Sequence, residues 1–222
     1  MNTHPFSFCT AQLVACPSGA LYWPEKGLLV VSDLHLGKSA RLSAVGGAPL
    51  PPYETRETLM RLEADLDATG AQSVICLGDS FDAPGIDAAL PEDEQLWITR
   101  LQAGRNWIWI EGNHDPGPVA LGGTHKADFS LGPLVFRHIA CAGPVSAGEV
   151  SGHYHPKARL DLRGRSLTKP CFLYDTQRLI LPAYGAYTGG LHTHSAVLNK
   201  LMQPEARAIL IGTHARAIPM PR

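Results

Sequence analysis

The chain has 222 residues, 45 % of them hydrophobic and 18 % charged, with a formal net charge of −1. That balance supports a packed core and excludes a disordered chain. The near-neutral charge excludes the broad basic footprint of a nonspecific nucleic-acid binder and leaves only a local basic patch open.

Met1-Asn2-Thr3-His4-Pro5 has neither a basic start nor an apolar stretch, so no signal peptide is expected. Leu28-Leu29-Val30-Val31 reads as a strand buried on both faces and runs into Ser32-Asp33-Leu34-His35-Leu36-Gly37. A Gly/Pro-rich loop from Gly46 to Pro52 precedes a helix over Tyr53 to Thr69, with Leu59, Leu62 and Leu66 at helical spacing and Gly70 as its stop. The unit recurs. Ser73 to Leu77 is a second buried strand ending in Gly78-Asp79-Ser80-Phe81-Asp82, and a helix begins near Pro91 with Glu92, Asp93 and Glu94 in its first turn. Trp107 to Ile110 is a third strand, ending in Gly112-Asn113-His114-Asp115-Pro116, with both tryptophans expected to pack on helices. Three strand–turn–helix units predict a parallel sheet.

Beyond Gly117, Leu134–Arg137, Cys171–Tyr174, Arg178–Leu181 and Ala208–Ile211 read as strands with few helices between them. This half is expected to be mostly antiparallel and to share one core with the first, giving a single domain over 1–222. The longest apolar runs fall far short of the roughly 20 residues that span a bilayer. Five cysteines, Cys9, Cys16, Cys76, Cys141 and Cys171, show no Cys-x-x-Cys spacing, which argues against a disulfide framework and fits the cytoplasm. Cys76 is expected in the core.

The three parallel strands deliver polar residues at their C-terminal ends, where open α/β sheets place ligands: Asp33 and His35, then Asp79, then Asn113, His114 and Asp115. His138 and the run His153-Tyr154-His155 follow. Carboxylates, imidazoles and an amide oxygen without thiolate suit manganese, iron, zinc or nickel. Seven ligands are too many for one ion, but sharing a carboxylate makes two sites. Strand alternation predicts Asp33 with His35, and His153 with His155, on common sides. Two ions about 3.5–4 Å apart can hold a hydroxide between them and clamp a phosphate for in-line displacement.

Asp-x-His at 33–35, Gly-Asp-x-x-Asp at 78–82, Gly-Asn-His-Asp at 112–115, His138 and Gly-His-x-His at 152–155 resemble the five ordered motifs of the calcineurin-like metallophosphoesterases. Asp33-Leu34-His35-Leu36-Gly37-Lys38, Gly152 to Pro156 and Pro182 to Leu191 resemble, more narrowly, the ligase-associated DNA-damage-response phosphoesterases/endonucleases (PdeM). The broader motifs span residues 33–155, and the narrower likeness runs from about Leu21 to near the C-terminus.

The resemblance implies a four-layer α/β/β/α sandwich with a dinuclear metal site at the strand C-terminal ends. One ion would take Asp33, His35, Asp79 and His155; the other would take Asp79, Asn113, His138 and His153. His114 would protonate the leaving oxygen, a step suited to a near-neutral acid, with Asp115 orienting it. Two divalent ions, manganese first, would serve a phosphodiesterase acting as a DNA endonuclease in repair, beside an ATP-dependent DNA ligase, a helicase and an exonuclease. A small-molecule or lipid-precursor phosphodiester or pyrophosphate hydrolase is the alternative, because Asp-Leu-His-Leu-Gly also occurs in that branch. A noncatalytic scaffold of the same fold is disfavoured by the full set of ligands.

Substrate contacts are read at Lys38, at Tyr187 in the Gly-rich loop, and at Arg159, Arg163 and Arg165, with Lys169 beside them. Asp82 departs from the histidine that many nuclease-like relatives carry there and is read as a loop cap. His192-Thr193-His194 is read as an exposed loop, and His4, His125 and His214 as surface residues.

Overall fold

A computed structural model of the chain describes residues 2–44, 46, 53–143, 145, 148–162 and 165–222. It opens on a hairpin of β1 (His4–Phe8) and β2 (Ala11–Ala15), followed by β3 (Leu21–Trp23) and β4 (Leu28–Val31). Then come α1 (Lys38–Ala44), α2 (Glu54–Thr69), β5 (Ser73–Cys76), α3 (Ile86–Ala89), α4 (Glu92–Gln102), β6 (Asn106–Ile110) and β7 (Thr124–Lys126). The seven strands form one mixed sheet in chain order, with β4 to β7 parallel.

The second half contributes β8 (Asp128–Leu131), β9 (Leu134–Arg137), β10 (Gly148–Ser151), β11 (Lys157–Leu162), β12 (Arg165–Tyr174), β13 (Arg178–Ile180), α5 (Ala196–Leu201), β14 (Arg207–Leu210) and β15 (Arg216–Pro219). They form a second mixed sheet in the order β15-β14-β12-β13-β10-β9-β8, with β11 on β12.

Side-chain alternation explains why the first sheet is buried on both faces. Leu28 and Val30 of β4, Ile75 of β5 and Ile110 of β6 point into a core shared with Phe136, Val150, Phe172 and Ile209 of the second sheet. Leu29, Val31, Val74, Cys76, Trp107 and Trp109 point the other way, onto Leu59, Leu62 and Leu66 of α2 and Ile98 and Leu101 of α4. Both tryptophans therefore lie on one helix-covered face, two residues apart on the same strand. A third cluster packs Leu198 of α5 on Cys171, Leu173, Ile180 and Ala208. Helix α2 stops as expected, with Gly70 left-handed at φ 63° and its N–H on the Leu66 carbonyl.

The second sheet is mostly antiparallel, as expected, but two of its pairings, β9 with β10 and β10 with β13, are parallel. The β11–β12 hairpin occupies the return from β10 to β13. Strand β10 escaped the hydrophobic pattern because it carries Glu149, buried and paired with Arg178 at 3.3 Å. The hairpin β1–β2 escaped because its turn, Cys9-Thr10, holds both residues at positive φ (45° and 69°), a geometry ordinarily signalled by Asn-Gly. The Gly/Pro-rich loop, Gly46 apart, lies outside the described residues.

Candidate metal centre

The loops after β4, β5, β6, β9 and β10 converge at one end of the two sheets. Four of them continue the strand pairing with loop backbone. Asp33 N–H donates to the Gly78 carbonyl (3.2 Å), His35 N–H to Asp79 (2.9 Å), Leu36 N–H to Ser80 (2.9 Å), and Gly152 N–H to His138 (3.0 Å). The motif residues are not in strand conformation. Asp33, His35, Asp79, His153 and His155 all have positive φ, between 45° and 69°. Alternation along a strand is thus not what puts Asp33 beside His35; each side chain is turned inward by a left-handed residue, while Leu34 and Leu36 anchor the loop in the helix-side core. Such backbone costs on the order of 1–3 kcal/mol per residue and persists where surrounding structure over-determines it.

Motif glycines are required by close approach. A Cβ on Gly112 would lie 2.1 Å from Asp79 N and 2.3 Å from the Asp79 and Asp115 carboxylates. One on Gly152 would lie 1.7 Å from Ser32 Oγ and 2.6 Å from Asp33 Oδ2.

The ligand atoms of Asp33, His35 and His155 lie within 4.8 Å of one another, and those of Asp79, His138 and His153 do the same. His138 Nδ1–H donates to the Leu77 carbonyl at 2.8 Å, an acceptor that fixes the proton there. Its Nε2 then faces Asn113 Oδ1 at 3.0 Å, His153 Nδ1 at 3.2 Å and Asp79 Oδ2 at 3.3 Å. Lone pairs gathered this closely need a cation among them, a proton or a metal ion. His35 Nε2 is buried with no hydrogen-bond partner among the described residues. His155 Nε2 stands 3.0 Å from Asp33 Oδ1 yet off hydrogen-bond geometry, as two ligands turned to a common centre would. The donor set and these orphaned nitrogens fit divalent ions of borderline softness.

The electrostatics agree. Burial opposes ionisation of Asp79, but the hydrogen bond and charge of His138 outweigh it and hold the carboxyl at about 2. Burial likewise opposes Asp33, and the His155 and His138 imidazoles with the Ser32 hydroxyl (2.5 Å) bring its pKa down. Burial pushes His138 down, and the carboxylates of Asp79 and Asp33 overcome it and raise the pKa. His153 is lowered by burial and by neighbouring His138. The centre favours positive charge between its carboxylates.

His114 sits at the rim, its backbone N–H on Asp79 Oδ1 (2.8 Å) and its Nδ1 on the Asp82 carbonyl (3.0 Å). Two aspartates differ from their sequence reading. Asp115 does not orient the His114 ring; its carboxylate accepts the backbone N–H groups of Asp79 (2.9 Å), Ser80 (2.8 Å) and Phe81 (3.1 Å), and so caps that turn. Burial, reinforced by the charge of Asp79 against those donors, raises its pKa to about 6. Asp82 is not a cap. Its Oδ1 faces His35 Nδ1 at 2.9 Å and its Oδ2 takes Arg41 Nε–H. Burial works against its ionisation, and these two partners lower its pKa all the same. His35, Asp82 and His114 form a third close group, but both Asp82 oxygens already have donors, so it is not a ligand set.

The loop from Pro182 to Leu191 borders the centre: Tyr184 N–H donates to Ser32 O (2.8 Å) and Gly185 N–H to Asp33 O (3.1 Å). Tyr187, 47 % exposed and at φ 57°, stands at its tip. On the other flank Asn113, His138, Arg137, Asp128 and Ile139 line a cleft of 380 Å³. Lys38 opens α1, half-buried. Arg159, exposed on β11, pairs across with Thr168, so it and Lys169 face opposite sides of the hairpin and do not form one patch. Arg163 and the Arg165 side chain lie outside the described residues. Of the histidine run, His192 and His194 stack on each other at 5.3 Å, while Thr193 between them is buried. What sequence reasoning missed is Arg41, which carried no motif signal, and Ser32, which sits one residue before the first motif.

Comparison with solved structures finds the Pseudomonas putida nuclease MPE at 28 % identity, with a TM-score of 0.74, covering 98 % of this chain and 100 % of that one. The E. coli phosphoesterase YfcE is at 11 % identity, with a TM-score of 0.44, covering 87 % of this chain and 99 % of that one. No curated protein matches the chain. A family description, "Calcineurin-like phosphoesterase", matches residues 27–201 and so takes in every loop that feeds the centre. On that match the chain belongs to the calcineurin-like phosphoesterases, and it is a hydrolase of phosphoric esters.

Proposed function

We propose that the chain is a dinuclear metal-dependent phosphodiesterase acting as a DNA endonuclease, folded as a single domain in a four-layer α/β/β/α sandwich. The observation that carries the reading is the convergence of Asp33, His35, Asp79, Asn113, His138, His153 and His155 from five loops around buried, unpartnered imidazole nitrogens. Full-length similarity to a nuclease supports the choice of a nucleic-acid diester.

Asp33, His35 and His155 would hold one ion, Asn113, His138 and His153 the other, with Asp79 between them. Two bound divalent ions, manganese in this proposal, supply Lewis-acid polarisation of the phosphoryl oxygens and a nucleophile from water near neutral pH. His114 donates its Nδ1–H to the Asp82 carbonyl, which leaves Nε2 to carry a proton toward the leaving oxygen. Asp79 fixes the His114 backbone at the rim, so acid and ligands move as one unit. Tyr187, Lys38 and Arg159 would contact the substrate in this reading. The narrower kinship with ligase-associated repair phosphoesterases, the cytoplasm as compartment, and a ligase, helicase and exonuclease as companions belong to the same reading; five free cysteines support a reducing compartment. The net charge of −1 favours a second reading, a small-molecule or lipid-precursor phosphodiester or pyrophosphate.

Manganese-reconstituted protein is expected to cleave bis(p-nitrophenyl) phosphate and DNA. Cleavage of the chromogenic diester with no DNA form cut would select the second reading. Fewer than one ion per chain after reconstitution would end the dinuclear assignment.

A further inference from the structure

The third close group of titratable side chains, His35, Asp82 and His114, holds no ligand site of its own, yet Asp82 is 2 % exposed and would bury an ionised carboxylate at a cost unless it serves the neighbours it touches. Both oxygens are committed, one to His35 Nδ1 at 2.9 Å and the other to Arg41 on α1. We infer that Asp82 is a positioning residue for the metal centre: with Arg41 as its counter-charge, it keeps the His35 proton on Nδ1 and turns the bare Nε2 toward Asp33 and His155.

Donor and acceptor identity decides where the His35 proton sits. An ionised carboxylate only accepts, so the ring nitrogen facing it must be the one that carries hydrogen. The opposite nitrogen then has a free lone pair; here that nitrogen is buried with no partner among the described residues, and His35 stands with Asp33 and His155 in one group whose ligand atoms fall within 4.8 Å of one another. Were the proton on Nε2, His35 would present N–H where a cation is to sit, and its lone pair would face a carboxylate. Arg41 matters because it balances the carboxylate without competing for the oxygen that His35 uses. A hydrogen bond spanning 47 residues thereby ties the second motif to the first. Carboxylates that hold a ligating imidazole in this way fix its tautomer and raise its basicity.

The inference rests on the metal-centre reading, and its test separates the two. In metal-free protein above the imidazole titration range, ¹⁵N spectra of the His35 ring are expected to show the Nδ1–H tautomer. Asp82→Ala is expected to mix or invert it and to weaken one of two manganese sites by about 10–100-fold in direct titration. Asp82→Asn, whose amide oxygen still accepts, is expected to keep the tautomer and most of that affinity, a rescue that a merely structural role would not produce. His35 carrying its proton on Nε2 in the wild type would overturn the inference, even if Asp82→Ala does not fold. So would Asp82→Ala with unchanged tautomer and affinity. A wild type that binds no manganese but shows the Nδ1–H tautomer would instead remove the metal reading.

Discussion

Gly152→Ala tests the centre through space alone. Gly152 is not among the positive-φ residues, so an alanine backbone is tolerated there and the new methyl is the whole perturbation. That carbon would stand 1.7 Å from Ser32 Oγ, 3.0 Å from Ser32 Cβ and 2.6 Å from Asp33 Oδ2. Ordinary contact begins at 3.4 Å, so the Asp33 oxygen must retreat by about 0.8 Å in an interior with little slack. The Ser32 hydroxyl must rotate away and give up its 2.5 Å bond to Asp33. Overpacking costs about 1–3 kcal/mol and the lost charge-assisted bond about 1.5–3 kcal/mol. The expected loss is about 2.5–6 kcal/mol, or about 5–24 °C in Tm for a chain of this size. Metal-free protein unfolded by heat and by urea measures it, and manganese titration is expected to show a weakened site because Asp33 has moved. Ser32→Ala removes the nearest obstacle, so the double variant should be more stable than the two single losses predict by about 1–3 kcal/mol. Strictly additive losses, or an unchanged Tm in Gly152→Ala, would refute the packing of motif against motif argued above.

His114→Ala is expected to keep both ions by elemental analysis while turnover falls by about 10²–10⁴-fold, whereas Asp79→Ala should lose metal and activity together. Cys16, Cys76 and Cys171 are buried, with Cys16 and Cys171 pushed up to about 12 by burial above all, so a thiol reagent at neutral pH should modify at most Cys9 and Cys141 in the native protein; fast reaction of a third would contradict the core. Tyr184→Phe removes the hydroxyl that donates to buried Asp65 at 2.8 Å and should cost about 1–3 kcal/mol in urea unfolding. Burial raises the Asp65 pKa despite that bond, so the folded state holds this proton more tightly than the unfolded one. Stability should therefore fall as pH rises from the ordinary carboxyl range through the folded pKa, and Asp65→Asn should flatten that slope.

Much of this was legible along the chain. Strands β4, β5 and β6 announce themselves because four or five consecutive apolar residues can be buried only on both faces of a sheet, and the polar runs that end them mark the functional end. Strand β10 of the second sheet was less legible because Glu149, buried and paired with Arg178, stands in place of an apolar side chain. The seven candidate ligands were identifiable as residue types in order. Their convergence came for a different reason than strand alternation, since the left-handed conformations of Asp33, His35, Asp79, His153 and His155 are imposed by neighbouring loops. The two aspartates that end the second and third motifs show the limit most clearly. Sequence placed Asp82 as a cap and Asp115 as the partner of a histidine; the fold exchanges them, giving Asp115 the amides of residues 79–81 and Asp82 the His35 ring. Burial pattern and residue chemistry belong to short segments and can be read locally. Which acceptor meets which donor across 36 or 47 residues is decided only when the loops dock, because an aspartate serves either role equally well until its neighbours are in place.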